Sequence, residues 1–174
     1  DLIGRMGISD VQINLILLVC MLGRAEEPLD VLSIRYLLSA TADINEDDLS
    51  PEDLDHVTAV LRAGRTLLRE TTAPSGELAY ALYHRGFREY INSTPALQRT
   101  RRRAEALLYQ MAARWRLLPD GNLKNHLFRW GSEYALWWGH RRGQDAVRSR
   151  LTDFSYLMAR TEALPAFENL DLSR

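Results

Sequence analysis

The stretch that most constrains the fold is "LAYALYHRGFREYI", residues 78–91, in which one hydrophobic period gives way to another. Before His84 the side chains alternate with a period of two, which predicts a strand. After it, Phe87, Tyr90 and Ile91 recur at helical spacing, which predicts a helix with these three residues in the core. A histidine at this boundary can pack or cap the helix, act as a catalytic base, or contact a group outside the chain.

The residues upstream of this boundary complete a small domain. Helical patterns run over residues 9–24, 30–39 and 50–63. The sequences "TLLRETT" and "ELAYALYH", separated by the turn residues "APSG", then predict a β-hairpin. Three helices followed by a hairpin is the order of a winged-helix domain, which we predict for residues 1–93.

Two of these helices have capping signals at their amino-terminal ends. Ser9 followed by Gln12 forms a capping box for the first helix, which is apolar almost throughout and is predicted to be deeply buried. Ser50 is the predicted cap of the third helix, with Pro51 at its first position.

The second half of the chain has helical periodicity alone. The helical patterns cover residues 95–118, 123–140, 144–151 and 154–163, and no strand pattern follows residue 84. We therefore predict a mostly α protein in which residues 94–174 form an α-helical bundle after the winged-helix domain.

Composition excludes several classes of protein. Hydrophobic residues make up 46% and charged residues 26% of the 174 residues, as in folded soluble domains. The net charge of −1 gives no overall attraction to nucleic acid or to an anionic membrane. The apolar run 13–22 is too short to span a bilayer. The single cysteine, Cys20, suits a reducing compartment, and we predict a cytoplasmic protein.

The motifs of common active sites are absent from the sequence. It has no glycine-rich phosphate loop, H-E-x-x-H, C-x-x-C or G-x-S-x-G. The four histidines lie too far apart in sequence to form a local metal site. They are His56, His84, His126 and His140. We predict no catalytic residue and no metal, so this segment by itself is not expected to be an enzyme.

A winged helix can bind DNA through its third helix, but here that helix starts with acids. Residues 43–55 hold seven acids and no base, and phosphates would repel them. Residues 99–116 hold six arginines, which form either a solvated face or a nucleic-acid contact. The aromatic residues of the second half form either a core face or a stacking surface. They are Trp115, Trp130, Tyr134, Trp137 and Trp138.

The segment "YHRGFREYI" resembles the end of the winged-helix domain in signal-transducing P-loop ATPases of the NACHT and related STAND classes. That family pattern is a strand, a histidine, a phenylalanine, a glutamate and an aromatic residue, and it is filled here by His84, Phe87, Glu89 and Tyr90. The later sequence "LTDFSYL" is similar to the helical region that follows in bacterial members. The single lysine among 22 basic residues is typical of a GC-rich bacterium.

The resemblance implies a regulatory fragment of a larger ATPase. The nucleotide-binding domain, with ADP or ATP, would lie upstream in the parent chain and would be the partner of this module. The module would hold that domain closed with ADP, and its movement on exchange would permit oligomerisation and signalling, as in bacterial defence. The alternative is a winged-helix regulator that binds nucleic acid.

The resemblance also implies a role for His84. The equivalent histidine donates a hydrogen bond to the β-phosphate of ADP in related proteins, so His84 is the one predicted cofactor-binding residue. The alternative from the residues alone is a helix cap at the strand–helix joint. Glu89 is predicted to cap the helix or to form a salt bridge.

Overall fold

The computed structural model describes residues 9–25, 27–39, 50–138 and 140–164, with the backbone alone at residues 137, 138 and 140–143. This part of the chain is mostly helical, with a small three-stranded antiparallel sheet. The α-helices are α1 (Asp10–Arg24), α2 (Val31–Ser39), α3 (Leu54–Ala63), α4 (Arg85–Ser93), α5 (Gln98–Ala113), α6 (Asn122–Trp138), α7 (His140–Thr152) and α8 (Phe154–Ala163). The strands are β1 (Leu29–Asp30), β2 (Leu68–Thr72) and β3 (Leu78–Leu82), and 3-10 turns lie at Pro95–Leu97 and Trp115–Leu117.

The chain divides into two compact units, Asp1–Ala104 and Glu105–Arg174. The division lies within α5, later in the chain than the predicted boundary between residues 93 and 94. None of the described helices is both long and apolar enough to cross a membrane.

Helix α1 is the deeply buried helix that the sequence predicts. Ser9 and Gln12 form the capping box, since the Ser9 amide donates to Gln12 Oε1 over 3.1 Å and the Ser9 side chain accepts from the Gln12 amide. Residues 17–23 are all buried, including Cys20. Burial on every side over this stretch explains why its sequence is apolar almost without interruption.

Helix α3 begins later than predicted, and Ser50 is not its cap. The cap is Asp53, whose Oδ1 accepts hydrogen bonds from the amides of Asp55 (2.8 Å) and His56 (3.1 Å). The residues before it are held against α2 instead. The Glu52 amide donates to the Arg35 carbonyl over 3.1 Å, and Arg35 Nε donates to the Glu52 carbonyl over 2.7 Å. This reciprocal pair ties Glu52 to Arg35 of α2 ahead of the helix start.

The predicted hairpin is confirmed as β2 and β3, antiparallel with Leu68 opposite Leu82. Its turn places Gly76 at a φ of +92°, a conformation that favours glycine. Strand β1, whose Leu29 lies opposite Tyr80 of β3, was not predicted. Two residues are too few to show a period. The strand order β1-β3-β2 therefore places β3, the strand that leads to His84, at the centre of the sheet.

The second unit is helical throughout its described part and has an aromatic core. The predicted helix 95–118 is wrong in its end, because α5 stops at Ala113 and a 3-10 turn follows. That turn places Trp115 in a buried cluster with Phe128, Tyr156 and Leu164. The rings of Trp115 and Phe128 lie 5.5 Å apart, centroid to centroid, in a tilted arrangement that aromatic pairs favour.

Candidate functional site

His84 lies two residues after the end of β3 and is the amino-terminal cap of α4. Its backbone is extended, with φ −135° and ψ 137°, and its Nδ1 accepts a hydrogen bond from the Gly86 amide over 3.0 Å. The structural alternative for this residue, a cap at the strand–helix joint, is therefore confirmed. A side-chain acceptor at this position satisfies one of the amide groups that the first turn of a helix leaves open.

The cap determines which ring nitrogen of His84 carries the proton. A nitrogen that accepts a hydrogen bond is unprotonated, so the neutral ring holds its proton on Nε2. The side chain is exposed. Nδ1 of His84 therefore caps the helix, and Nε2 is a hydrogen-bond donor.

His84 lies on the wall of an open cleft of about 990 Å³ within the first unit. The charged and aromatic residues that line the cleft with it include Arg69, Arg85, Arg88, Glu27 and Tyr83. Tyr83, at 68% exposure, is one of the most exposed large side chains of the unit. The cleft thus combines hydrogen-bond donors with an aromatic surface, a combination that suits a polar or anionic group.

Helix α4 is held in place by its contacts with the end of α1. Arg88 donates to the Ala25 carbonyl, and Asn92 Nδ2 donates to the Gly23 carbonyl over 3.3 Å. Ile91 between them is fully buried and packs beside Gly23, where an added Cβ would lie 3.5 Å from its side chain. These three contacts fix the orientation of the helix and thereby the position of its cap, His84.

The buried face of α4 differs from the predicted one. Ile91 is core as expected, but Tyr90 is 58% exposed and Phe87 is only partly buried, so the prediction of three core residues is wrong. Phe87 and Tyr90 instead stack on each other, with ring centroids 6.2 Å apart. Relative to the prediction, α4 is turned about its own axis. Arg88 faces the end of α1, where the Ala25 carbonyl accepts its hydrogen bond.

Of the two alternatives for Glu89, the structure gives the salt bridge. Its carboxylate lies 3.6 Å from Arg85 Nε, and both side chains are highly exposed. An exposed pair one helical turn apart contributes little to stability. This exposed salt bridge lines part of the cleft but does not hold the cleft residues rigidly in place.

The remaining histidines have structural partners or lie outside the described side chains. His56 shares a 2.8 Å hydrogen bond with Asn14, and His126 shares a buried one of 2.6 Å with Tyr134. The side chain of His140 lies outside the described residues. Within the described ranges, no three His, Cys, Asp or Glu side chains are grouped to hold a metal ion.

The aromatic and arginine clusters are settled only in part. Trp115 and Tyr134 are buried, which confirms the core interpretation for them, and Trp130 is half-buried. The side chains of Trp137 and Trp138 lie outside the described residues. In the arginine run, Arg101 donates to the Ile91 carbonyl over 2.7 Å, and the others that precede residue 104 are exposed. They are Arg99, Arg102 and Arg103.

Arg69 and Tyr83 are among the cleft residues that the sequence did not predict. Arg69 lies opposite Ala81 in the β2–β3 register, and Tyr83 follows β3 directly. The position of the turn predicts the hairpin register, and this register places Arg69 near the end of β3 that leads to His84.

Comparison of the chain with protein-family models, curated proteins and solved structures gives no match.

Proposed function

We propose that this chain is a non-catalytic regulatory module, a winged-helix domain followed by a helical bundle, of a bacterial NACHT/STAND-type signalling ATPase. The observation that carries the proposal is the position of His84. It stands exposed at the β3–α4 joint, with Nδ1 engaged by the helix and Nε2 as a donor on a cleft wall. This joint is the place in which the family resemblance puts a phosphate-contacting histidine.

In this proposal, His84 Nε2 donates to the β-phosphate of ADP held by the nucleotide-binding domain of the parent chain. A hydrogen bond to a charged group contributes about 1.5–3 kcal/mol. That free energy shifts an equilibrium between closed and open states by about tenfold to a hundredfold. The module would move on nucleotide exchange and permit oligomerisation and defence signalling.

The two nitrogens of His84 can be tested separately in the parent protein. In His84→Asn the amide oxygen can still cap α4, since asparagine is a good cap, but the donor at the reach of Nε2 is lost. We expect His84→Asn to retain at least tenfold less ADP on purification, with higher basal activity and an unchanged thermal midpoint. His84→Ala should also lose stability, by about 1 kcal/mol. ADP content is measured by chromatography of the denatured protein.

A purely structural histidine would give the opposite pattern. His84→Asn would then keep its ADP and its basal activity, and His84→Ala would change stability only. That result would overturn the proposed phosphate contact.

A second candidate function is a nucleic-acid-binding regulator, favoured by the exposed Arg99, Arg102 and Arg103. The first turn of α3 weighs against it, because Asp53 and Asp55 are exposed where a DNA backbone would approach. This candidate requires binding of duplex or single-stranded DNA at low salt that weakens steeply as salt is added and that Arg99→Gln with Arg102→Gln reduces. Absence of binding at 50 mM salt would eliminate it.

A further inference from the structure

The second unit buries an arginine whose terminal nitrogens have no hydrogen-bond acceptor among the described residues. Arg150, near the end of α7, is 9% exposed, and both Nη1 and Nη2 are buried without a partner among the described residues. Burial lowers the pKa of its guanidinium, while Tyr156 and Tyr109 raise it in part. An uncompensated buried charge opposes folding, because the water that it loses is not replaced by protein acceptors.

The space for this guanidinium depends on a glycine in the facing helix. A Cβ added at Gly131 of α6 would lie 3.0 Å from Arg150 Nη1 and 3.2 Å from the Cβ of Ala112. Glycine inside a helix is less favourable than alanine. Gly131 therefore leaves room for the Arg150 guanidinium, but it makes α6 less stable than an alanine at this position would.

Arg160 of α8 provides an internal comparison. It is also buried, at 6% exposure, but its Nε donates to the Phe128 carbonyl over 3.1 Å. Both guanidinium groups lower the pKa of the Tyr156 phenol, but burial has the larger effect and raises it. The same unit thus contains one buried arginine with an acceptor and one with unsatisfied terminal nitrogens.

The described side chains of helix α7 contribute little apolar burial. Among its described side chains, residues 144–152, Arg150 is the only buried one, and Ala146 and Val147 are half-buried. Leu151, the adjacent apolar residue, is 42% exposed. Apolar burial, the main force that holds a helix on a core, is therefore weak at the place where the unpaired charge opposes packing.

We propose that α7 is a built-in conformational switch: residues 144–152 detach from α6 and release Arg150 to solvent while the rest of the second unit stays folded. The packed state buries a guanidinium whose terminal nitrogens have no acceptor within the described ranges, and the detached state exposes it to water. Such a local opening requires less free energy than global unfolding. This inference does not depend on the proposed function, since it concerns the second unit alone.

The test is hydrogen exchange by mass spectrometry on the 174-residue chain. In the wild type, amides of residues 144–152 should exchange at least about tenfold faster than those of residues 127–135 in α6. Arg150→Met retains the length of the side chain without its charge and should slow exchange of residues 144–152 by about tenfold. Arg160→Met, the matched control, should speed exchange of α8 and lower the thermal midpoint, because it removes a satisfied donor.

Gly131→Ala tests the same switch from the opposite direction and does not depend on the folding of Arg150→Met. The added methyl group would press on the guanidinium and on Ala112, so residues 144–152 should exchange about tenfold faster while residues 154–163 of α8 stay unchanged. The proposal is overturned if Arg150→Met leaves α7 exchange unchanged or speeds it, or if Gly131→Ala fails to speed it.

Discussion

Helix α4 in the first unit and helix α7 in the second each bury a single side chain among those described, yet the two side chains differ in kind. In α4 that side chain is Ile91, and the neighbouring Arg88 donates to the Ala25 carbonyl. In α7 it is Arg150, whose terminal nitrogens have no acceptor among the described residues. The comparison teaches that a polar helix is fixed on its core when its inner polar groups are satisfied, and can detach when they are not.

The largest expected effect comes from removing the apolar anchor of α4. Ile91→Ala should destabilise the first unit by about 2–5 kcal/mol, because it deletes a fully buried side chain and leaves a cavity beside Gly23. Tyr90→Ala is the matched control, since this exposed neighbour should cost less than about 1 kcal/mol. Urea unfolding measures both. Equal losses would mean that α4 packs through the face the sequence predicts.

The same substitution in the two helices should have opposite signs. Arg88→Met should destabilise the chain by about 1–3 kcal/mol, because it removes a donor from a carbonyl at the end of α1. Arg150→Met should stabilise it by about 1–4 kcal/mol. Thermal unfolding of both variants decides the point, with Arg85→Met as an exposed control near zero. If both changes had the same sign, the contrast between the helices would fail.

The smallest effect concerns the junction after α7, where Asp153 caps α8. Its carboxylate accepts from the amides of Ser155 and Tyr156 and lies 2.7 Å from Arg116 Nη2, and the hydrogen bond from Arg116 holds the pKa of Asp153 below its usual value. A lowered pKa gives stability that is present above the unfolded pKa and is lost as the pH falls through the folded one.

We therefore expect a small loss of stability in acid, below about pH 4, that Arg116→Gln makes smaller. Thermal midpoints between pH 6 and pH 2 measure it, with Arg114→Gln as a neighbouring control. Identical pH profiles for wild type and Arg116→Gln would show that Arg116 does not stabilise the cap. The same cap then holds α8 when α7 detaches, so α8 exchange should stay unchanged in Gly131→Ala.

Several parts of the fold could be predicted from local patterns. The hairpin, the capping box at Ser9, the buried α1 and the strand-to-helix change at His84 all depend on residues close in sequence. Errors occurred where a distant group competes with a local signal. Ser50 is a good cap by type, but the hydrogen bonds between Glu52 and Arg35 hold the residues before Asp53 against α2, and Asp53 is the cap.

The candidate site was predicted only as far as its histidine. The sequence located His84 at the joint, but the tautomer depends on the Gly86 amide and the cleft depends on side chains from separate elements. The unsatisfied arginine could not be predicted at all. Arg150 and Arg160 are alike in sequence, and only their different surroundings separate them.

The sequence by itself determined most of the helical and extended segments, because period, turn residues and caps act over a few residues. Tertiary structure alone decided which face of α4 is buried, where α3 starts and which buried arginine finds an acceptor. Those outcomes depend on hydrogen bonds and packing between residues far apart in the chain, and the free energy of a buried polar group is set by the partner it meets there.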